Sequence, residues 1–558
     1  MNSRKARFVL VASSLALTTT LLAGCADPGA VDDDGGTTAA GELRAVAADG
    51  LAPVLVLGSS DPAELALTAS QAFFAAAPVV VLAAADDAQA QDAAAAAALA
   101  LHAPVLLTGG AIADSGLAKE VERLGAVSAV VVTPDRAQAA GTDGTAAVAP
   151  TVEAVPVASD EDLARDAKRA VEAIDPGLDA VPLDAGALVT TPAGGTEIDD
   201  RDLSDVQDQL PRTAVPRLLT EVLALVDEAP GQSAAVATAQ AAGVVPLAVA
   251  GGDPRATSES VQAMARAKAL AVVGIGESFG TVDDLTARVR AAETGVELAG
   301  GGQLVSTGKR FVVLPSTTVP SSPSRIAEMV EKAASRAEPY VEVAVASGEA
   351  DRTATVPTVE LVVTESSGAA GRDGNYSTEL AVEAVRPAVQ AALDAGQHVL
   401  LEIQPGRAPF VDQVERYADL LALPGVGVSL DLDARRAGGV VARDGVVPAE
   451  EINDVVSYLS GFVRSRALPQ KMLVVHASTP RSVVDLGAVT TTDGAVAVVV
   501  HSDVAGSVSA RTRAWDALTV GAPASLGWGW TDLVGEVTPE RAATTEPLAP
   551  APLLVVVE

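Results

Sequence analysis

The sequence predicts an α/β protein: doubly wound α/β units followed by a TIM-like (β/α)8 barrel. Three observations predict it. First, HVLLEIQPGR (His398–Arg407) places Val399, Leu401 and Ile403 on one face at period two, and Glu402 and Gln404 on the other. That pattern fits a strand of a closed barrel, greasy outside against helices and polar inside near the carboxyl end. Second, the same alternation recurs in GVGVSLDLD (Gly425–Asp433) and AVAVVVHSD (Ala495–Asp503). Third, before residue 305 short apolar runs ending in turn residues alternate with helical stretches, the spacing of parallel sheets with crossover helices.

At the amino terminus Arg4, Lys5 and Arg7 precede the apolar run Phe8–Leu22, which is short for a membrane span. Leu22-Ala23-Gly24-Cys25 follows and resembles the lipobox of bacterial lipoproteins. The resemblance implies cleavage before Cys25 and diacylglycerol on its sulfur, which makes a membrane the first expected partner. Residues 1–24 are then a signal peptide and 25–49 a flexible Asp/Gly/Thr/Ala tether.

Residues 50–200 read as a first α/β module. Its strands are Leu51–Asp61, Ala77–Asp87, His102–Gly110 and Val127–Asp135, with helices Ala88–Leu101 and Gly116–Ala126. A polar stretch, Asp184–Arg212, reads as a linker. Residues 201–305 read as a second module, opening on an amphipathic helix Ala214–Glu228. SAAVATA, VVPLAVAGGDP and ALAVVGIGESF follow as strands. Val244–Gly252 echoes Ala103–Gly110, which suggests a diverged copy of one unit.

Residues 306–558 supply the barrel. Expected strands are Phe311–Leu314, Val356–Thr364, His398–Gln404, Gly425–Asp433, Lys471–Ala477, Ala495–Ser502, Ser525–Trp530 and Leu553–Val557. Helical stretches between them are Ser324–Ala337, Thr378–Ala395, Phe410–Leu421, Ala449–Arg466 and Ser509–Leu518.

Two family resemblances attach to these stretches. Val79–Leu82, Asp92 before its alanine run and Ala103–Thr108 resemble the type-two cell-wall-binding repeat of Gram-positive surface proteins, with Val132–Asp135 where that repeat has Gly-Gly. This implies cell-wall polymers as partners. Pro357–Thr364, Gly374–Ser377, Gln404–Arg407, Leu468–Lys471 and Gly527–Trp530 resemble, in order, an uncharacterised family of actinobacterial surface and lipoprotein barrels. That resemblance implies a glycosidase-like fold and no defined reaction. The chain departs from it at Pro315–Thr318, Leu432–Ala434 and Ala477-Ser478.

Composition excludes some functions. The net charge of −34 leaves no basic stripe for phosphate backbones, so nucleic acid is not an expected partner. One cysteine among 558 residues forbids internal disulfides and cysteine metal clusters. No nucleotide fingerprint is present, and no cofactor is expected.

The inward rim set is Glu360, Glu402, Gln404, Asp431, Asp433, His476, His501 and Asp503, with Arg407 and Trp530 nearby. Three readings stay open. The groups pair with one another inside the barrel, because buried charge must be compensated. Or Glu402 and Asp431, on neighbouring strands, form the carboxyl pair of a glycoside hydrolase, with Trp530 stacking on a sugar. Or His476, His501 and Asp503 hold a metal. The leading expectation is a lipid-anchored envelope protein that binds wall polymers and carries a glycan-facing rim without catalysis; an active hydrolase using Glu402 and Asp431 is the alternative.

Overall fold

A computed structural model describes residues 43–135, 160–191, 195–227, 229–347, 353–438, 443–491, 494–532 and 548–558. Cys25 and its lipobox lie outside these residues. No helix among them is long and apolar enough to cross a membrane.

The first half holds β1 (Val54–Leu57), α1 (Pro62–Phe73), β2 (Val79–Ala84), α2 (Ala88–Leu101), β3 (Val105–Thr108), α3 (Asp114–Leu124), β4 (Ser128–Thr133), α4 (Asp160–Glu172) and β5 (Asp179–Asp184). Then come β6 (Val222–Val226), α5 (Ser233–Ala241), β7 (Val245–Ala248), α6 (Ser258–Ala267), β8 (Ala271–Ile275) and α7 (Val282–Ala292). The strands form two parallel four-stranded sheets, in the orders β3-β2-β4-β5 and β7-β6-β8-β1. The two orders superpose β2 on β6, β3 on β7 and β4 on β8. Val245–Ala248 therefore occupies the place of Val105–Thr108, as the sequence echo suggested. The fourth place is filled differently: β5 in the first sheet, the amino-terminal β1 in the second.

Several expectations are corrected here. Leu51–Asp61 supplies β1, which pairs with β8 of the second sheet rather than with the first. The expected helix Ala214–Glu228 contains strand β6, all five residues of which are buried. An unbroken apolar run in a sheet covered on both faces has no period to read. The expected strand SAAVATA is instead helix α5. Its alanines Ala234 and Ala237 pack with Ala63 and Ala66 of α1 and Ala90, Ala94 and Ala97 of α2. Side chains this small let three helices approach closely, and alanine has the best helix propensity. The expected linker Asp184–Arg212 carries a hairpin (Leu188–Thr190 with Thr196–Ile198) and a helix, Asp200–Gln209, capped by Asp199.

The second half holds β9 (Lys309–Thr318), α8 (Pro323–Ser347), β10 (Ala354–Ser366), α9 (Val382–Asp394), β11 (His398–Ile403), β12 (Val426–Asp431), α10 (Ala449–Arg466), β13 (Lys471–Ala477), β14 (Val496–Ser502), α11 (Val508–Thr519), β15 (Gly527–Asp532) and β16 (Leu554–Val557). These eight parallel strands follow one another in chain order, and β9 closes the barrel by pairing with both β10 and β16. Val399, Leu401, Ile403, Val426, Val428 and Leu430 face outward into one core shared with the helices. Leu400, Met472, Val474 and Val499 fill the interior.

The floor of the barrel is stoppered. Leu298 and Val305, from the segment after α7, pack on the interior residues Phe311, Val356 and Met472. The Gln470 side chain accepts from Val305 N–H at 2.8 Å, and its backbone N–H donates to Gln303 O at 2.9 Å. Buried Lys309 donates to Leu304 O at 2.8 Å. Solvent reaches the interior polar groups through the carboxyl-end mouth.

Candidate active site at the barrel mouth

A cleft of about 330 Å³ opens at that mouth, lined by Pro315, Ser316, Glu360, Glu402, Asp431, Asp433, His476, His501, Asp503, Val556 and Glu558. Six of the lining residues carry carboxyl groups and none is Lys or Arg. Glu360 and Glu402 are buried at its base, while Asp433, Asp503 and Glu558 are exposed at its lip. Seven residues expected at the rim thus meet in one cleft: Glu360, Glu402, Asp431, Asp433, His476, His501 and Asp503.

The base of the cleft is a line of hydrogen bonds across the strand ends. His476 Nε2 lies 2.8 Å from Glu360 Oε1. His476 Nδ1 lies 2.7 Å from His501 Nδ1, and His501 Nε2 lies 2.8 Å from Thr531 Oγ1. On the other side the Ser316 hydroxyl meets Glu360 Oε2 at 3.1 Å and also Glu402 Oε2. Gln404 Nε2 donates to Glu402 Oε1 at 2.7 Å.

Counting protons narrows the charge states along this line. One hydroxyl carries one proton, so Ser316 cannot donate to two ionised carboxylates. If Glu402 is a carboxylic acid, it donates to the Ser316 oxygen and Ser316 donates on to Glu360, satisfying all three groups. Two facing Nδ1 atoms likewise require one donor and one acceptor. A cationic His476 donates from both nitrogens, to Glu360 and to His501, and leaves His501 neutral with its proton directed at Thr531.

The electrostatics run the same way. Burial raises the Glu402 carboxyl above the usual range, and the charge of Glu360 raises it further. Burial works against ionised Glu360, but His476 prevails and holds it down at about 2. Burial disfavours charge on His476, yet Glu360 lifts it to about 9. Burial and then the His476 charge push His501 down to about 3. Burial raises Asp431, whereas N–H donation from Asp433 at 2.9 Å and Ala434 at 3.3 Å favours its ionised form.

Three expected rim residues sit elsewhere. Gln404 stands behind Glu402, accepting from Ser366 N–H at 3.2 Å, and does not line the cleft. Arg407 lies over the Tyr376 ring at 4.2 Å. Trp530 is corrected: it points outward, 5.7 Å from Trp515 of α11, with Arg511 over its ring at 4.3 Å. Inside the barrel its neighbours Gly529 and Thr531 take the inward positions. A Cβ on Gly529 would lie 3.1 Å from His501 Cα, so a larger residue would crowd the His501 strand. The metal reading loses its geometry as well. The two imidazoles hydrogen-bond each other, whereas tetrahedral Zn²⁺ at about 2.0–2.1 Å from each would hold them further apart. Among the described residues no group of three or more His, Cys, Asp or Glu is arranged to hold a metal.

Sequence reading missed Ser316, Thr531 and Glu558. Ser316 turns inward at a β-bulge, where Leu314 pairs with Val359 but Thr317 pairs with Leu361. The extra residue re-aims the chain and breaks period two. The departure at Pro315–Thr318 was the available signal. Thr531 was legible from the Gly527, Gly529, Thr531 alternation.

Outside the cleft, two motifs lock together. Gly406 at φ +60 presses on the loop after β10, where a Cβ would lie 2.4 Å from the carbonyl oxygens of Asn375 and Tyr376. Gly406→Ala is therefore expected to destabilise the chain by about 2 kcal/mol or more, because backbone must move and φ is positive. Chemical denaturation would measure it, and an unchanged midpoint would refute the close approach.

No protein family model matches the chain, and no curated protein sequence does. Among solved structures a weak neighbour is Cwp6 from Clostridium difficile, with a TM-score of 0.29, 10% identity and coverage of 63% of each chain, less than two thirds of that protein's length.

Proposed function

We propose that the chain is a lipid-anchored cell-envelope protein that binds wall polymers, and that its barrel mouth hydrolyses a glycosidic bond of such a glycan. Glu402 is the general acid in this reading, and Asp431 the carboxylate across the bond. The Ser316 bridge carries the proposal: it joins two carboxyl groups that cannot both receive its one proton, and because Glu360 is paired with His476 the retained acid proton belongs on Glu402. Glycoside hydrolysis requires one carboxylic acid and one carboxylate flanking the bond. Asp431, on the neighbouring strand and lining the same cleft, takes the second part. A retaining reaction corresponds to carboxyls about 5–5.5 Å apart and an inverting one to about 6.5–9.5 Å. The lipobox resemblance at Leu22–Cys25 supports the anchor, and the wall-binding-repeat resemblance supports contact of the amino-terminal modules with polymer.

A second reading is binding without hydrolysis. Its observation is that Glu360, His476, His501 and Thr531 satisfy one another, as a purely structural network would. Incubation of the full chain with purified Gram-positive walls separates the two. Release of reducing ends together with co-sedimentation is expected. Co-sedimentation without release would leave only binding, and neither result would remove both readings.

A further inference from the structure

A second cavity, of about 340 Å³, lies beside the mouth, between the end of β9 and the first turns of α8. The two cavities share one wall. Pro315 and Ser316 line the mouth, while Leu314, Thr317 and Thr318, their neighbours in the chain, line the second cavity. The bulge between Leu314 and Thr317 turns Ser316 to the mouth side. The wall is therefore a single run of backbone, and its two faces belong to consecutive residues. Ser316 and Thr318 are exposed, so the edge of this wall stands in solvent and a chain-like ligand can cross it.

The charges on the two sides differ in sign. The mouth is lined by six carboxyl groups and no Lys or Arg. The second cavity is lined by Arg325 and Lys332, with Glu328 as its one acid. Arg325, Glu328 and Lys332 follow at spacings of three and four, which puts them on one face of α8. Arg325 and Lys332 are exposed and make no ion pair among the described residues, although acids outnumber bases in the chain by 72 to 38. Arg325 also stands in the first turn of α8, where the helix end adds to the attraction for an anion. Buried Leu314 and Met329 give the cavity an apolar patch, and Thr317 and Thr318 bring hydroxyls to it. A carboxylate is thus repelled at the mouth and attracted across the wall.

We propose that this cavity is a second subsite, which takes the carboxylate of an acidic sugar unit while a neutral unit of the same glycan occupies the mouth. The inference rests on the glycan reading of the mouth. It narrows the ligand to glycans that carry acidic groups on some rings and not on others.

Two tetrasaccharides test it, both with a β-1,4-linked N-acetylglucosamine backbone. One is chitotetraose, which is uncharged. The other carries a lactyl carboxylate on alternate rings. The full chain bearing Glu402→Gln, used to prevent turnover, is titrated with each by calorimetry. The charged probe is expected to bind about tenfold tighter, from two exposed charge contacts of about threefold each. Arg325→Gln and Lys332→Gln should each remove about threefold of that preference, and the two together should bring the charged probe to the affinity of chitotetraose. Glu328→Gln should act in the opposite direction, tightening the charged probe and leaving chitotetraose unchanged. Lys119→Gln, which removes a cation from α3 in the other half of the chain, should alter neither affinity. All four side chains are exposed, so these changes leave the fold intact. Equal affinities for the two probes, a preference that survives the double variant, or an equal loss on Lys119→Gln would overturn the subsite and leave the glycan reading standing. Binding of neither probe would overturn both.

Discussion

Glu402→Gln is expected to lower reducing-end release from wall glycan about 10²–10⁴-fold, the usual contribution of a positioned general acid. The fold should survive the change. A glutamine amide offers one oxygen acceptor and N–H donors, so it keeps the pattern of the protonated acid: donation toward Ser316 and acceptance from Gln404. The melting temperature is therefore expected to stay level or rise slightly, since a buried ionisable group is removed. The activity also has a direction in pH. Burial and Glu360 raise the Glu402 carboxyl, so the acid form persists above the ordinary range for glutamate and the rate falls as pH climbs through that raised value. Full hydrolysis by the variant would remove Glu402 from the acid role. A large loss of stability would show instead that the native residue is ionised.

Glu360→Gln is expected to destabilise the fold by about 3 kcal/mol, the range found when one partner of a buried pair is deleted. Glu360 is 1% exposed and lies 2.8 Å from His476, so the imidazolium is left without a counter-charge. The cost should depend on pH in a defined way. Glu360 is depressed to about 2, so its contribution is complete above its unfolded value near 4.5 and is lost as pH falls toward 2. His476 is raised to about 9, so its contribution is complete below its unfolded value near 6.5 and is lost as pH rises through 9. The difference in unfolding free energy between wild type and Glu360→Gln should be largest between about pH 4.5 and 6.5 and shrink on either side. Denaturant titrations of both proteins at pH 5.5 and pH 9.5 would measure it, and equal costs at the two pH values would refute the pair.

Much of the barrel was legible in the residues. The alternation in His398–Ile403 and Val496–Ser502 is a local property of a pleated strand, so one glance separates the face that meets helices from the face that meets the interior. Where alternation is absent, the residues decide less: Val79–Ala84 and Ser128–Thr133 read as strands and are strands, but two other runs do not follow their reading. VLALV is apolar throughout and reads as part of a helix but is a strand, while SAAVATA reads as a strand but is a helix. In the candidate site the carboxylates and histidines were found because their strands keep period two. Ser316 escapes a sequence reading because a bulge resets the period, and Trp530 is expected near the rim only because a tryptophan suggests a sugar platform. The alternation Gly-Trp-Gly-Trp-Thr already put both tryptophans on the outer face.

By itself, then, the order of residues determined the eight barrel strands and that Glu360, Glu402, Asp431, Asp433, His476, His501 and Asp503 gather at the carboxyl end. It did so because side-chain direction in a strand depends only on near neighbours. Only the tertiary structure decided that β1 completes the second sheet, that the two imidazoles bond to each other, and that Ser316 joins two carboxyl groups. Those relations span long stretches of chain: 116 residues separate Glu360 from His476, and 86 separate Ser316 from Glu402. Closure of the barrel brings such residues together, and closure is not written in any local pattern.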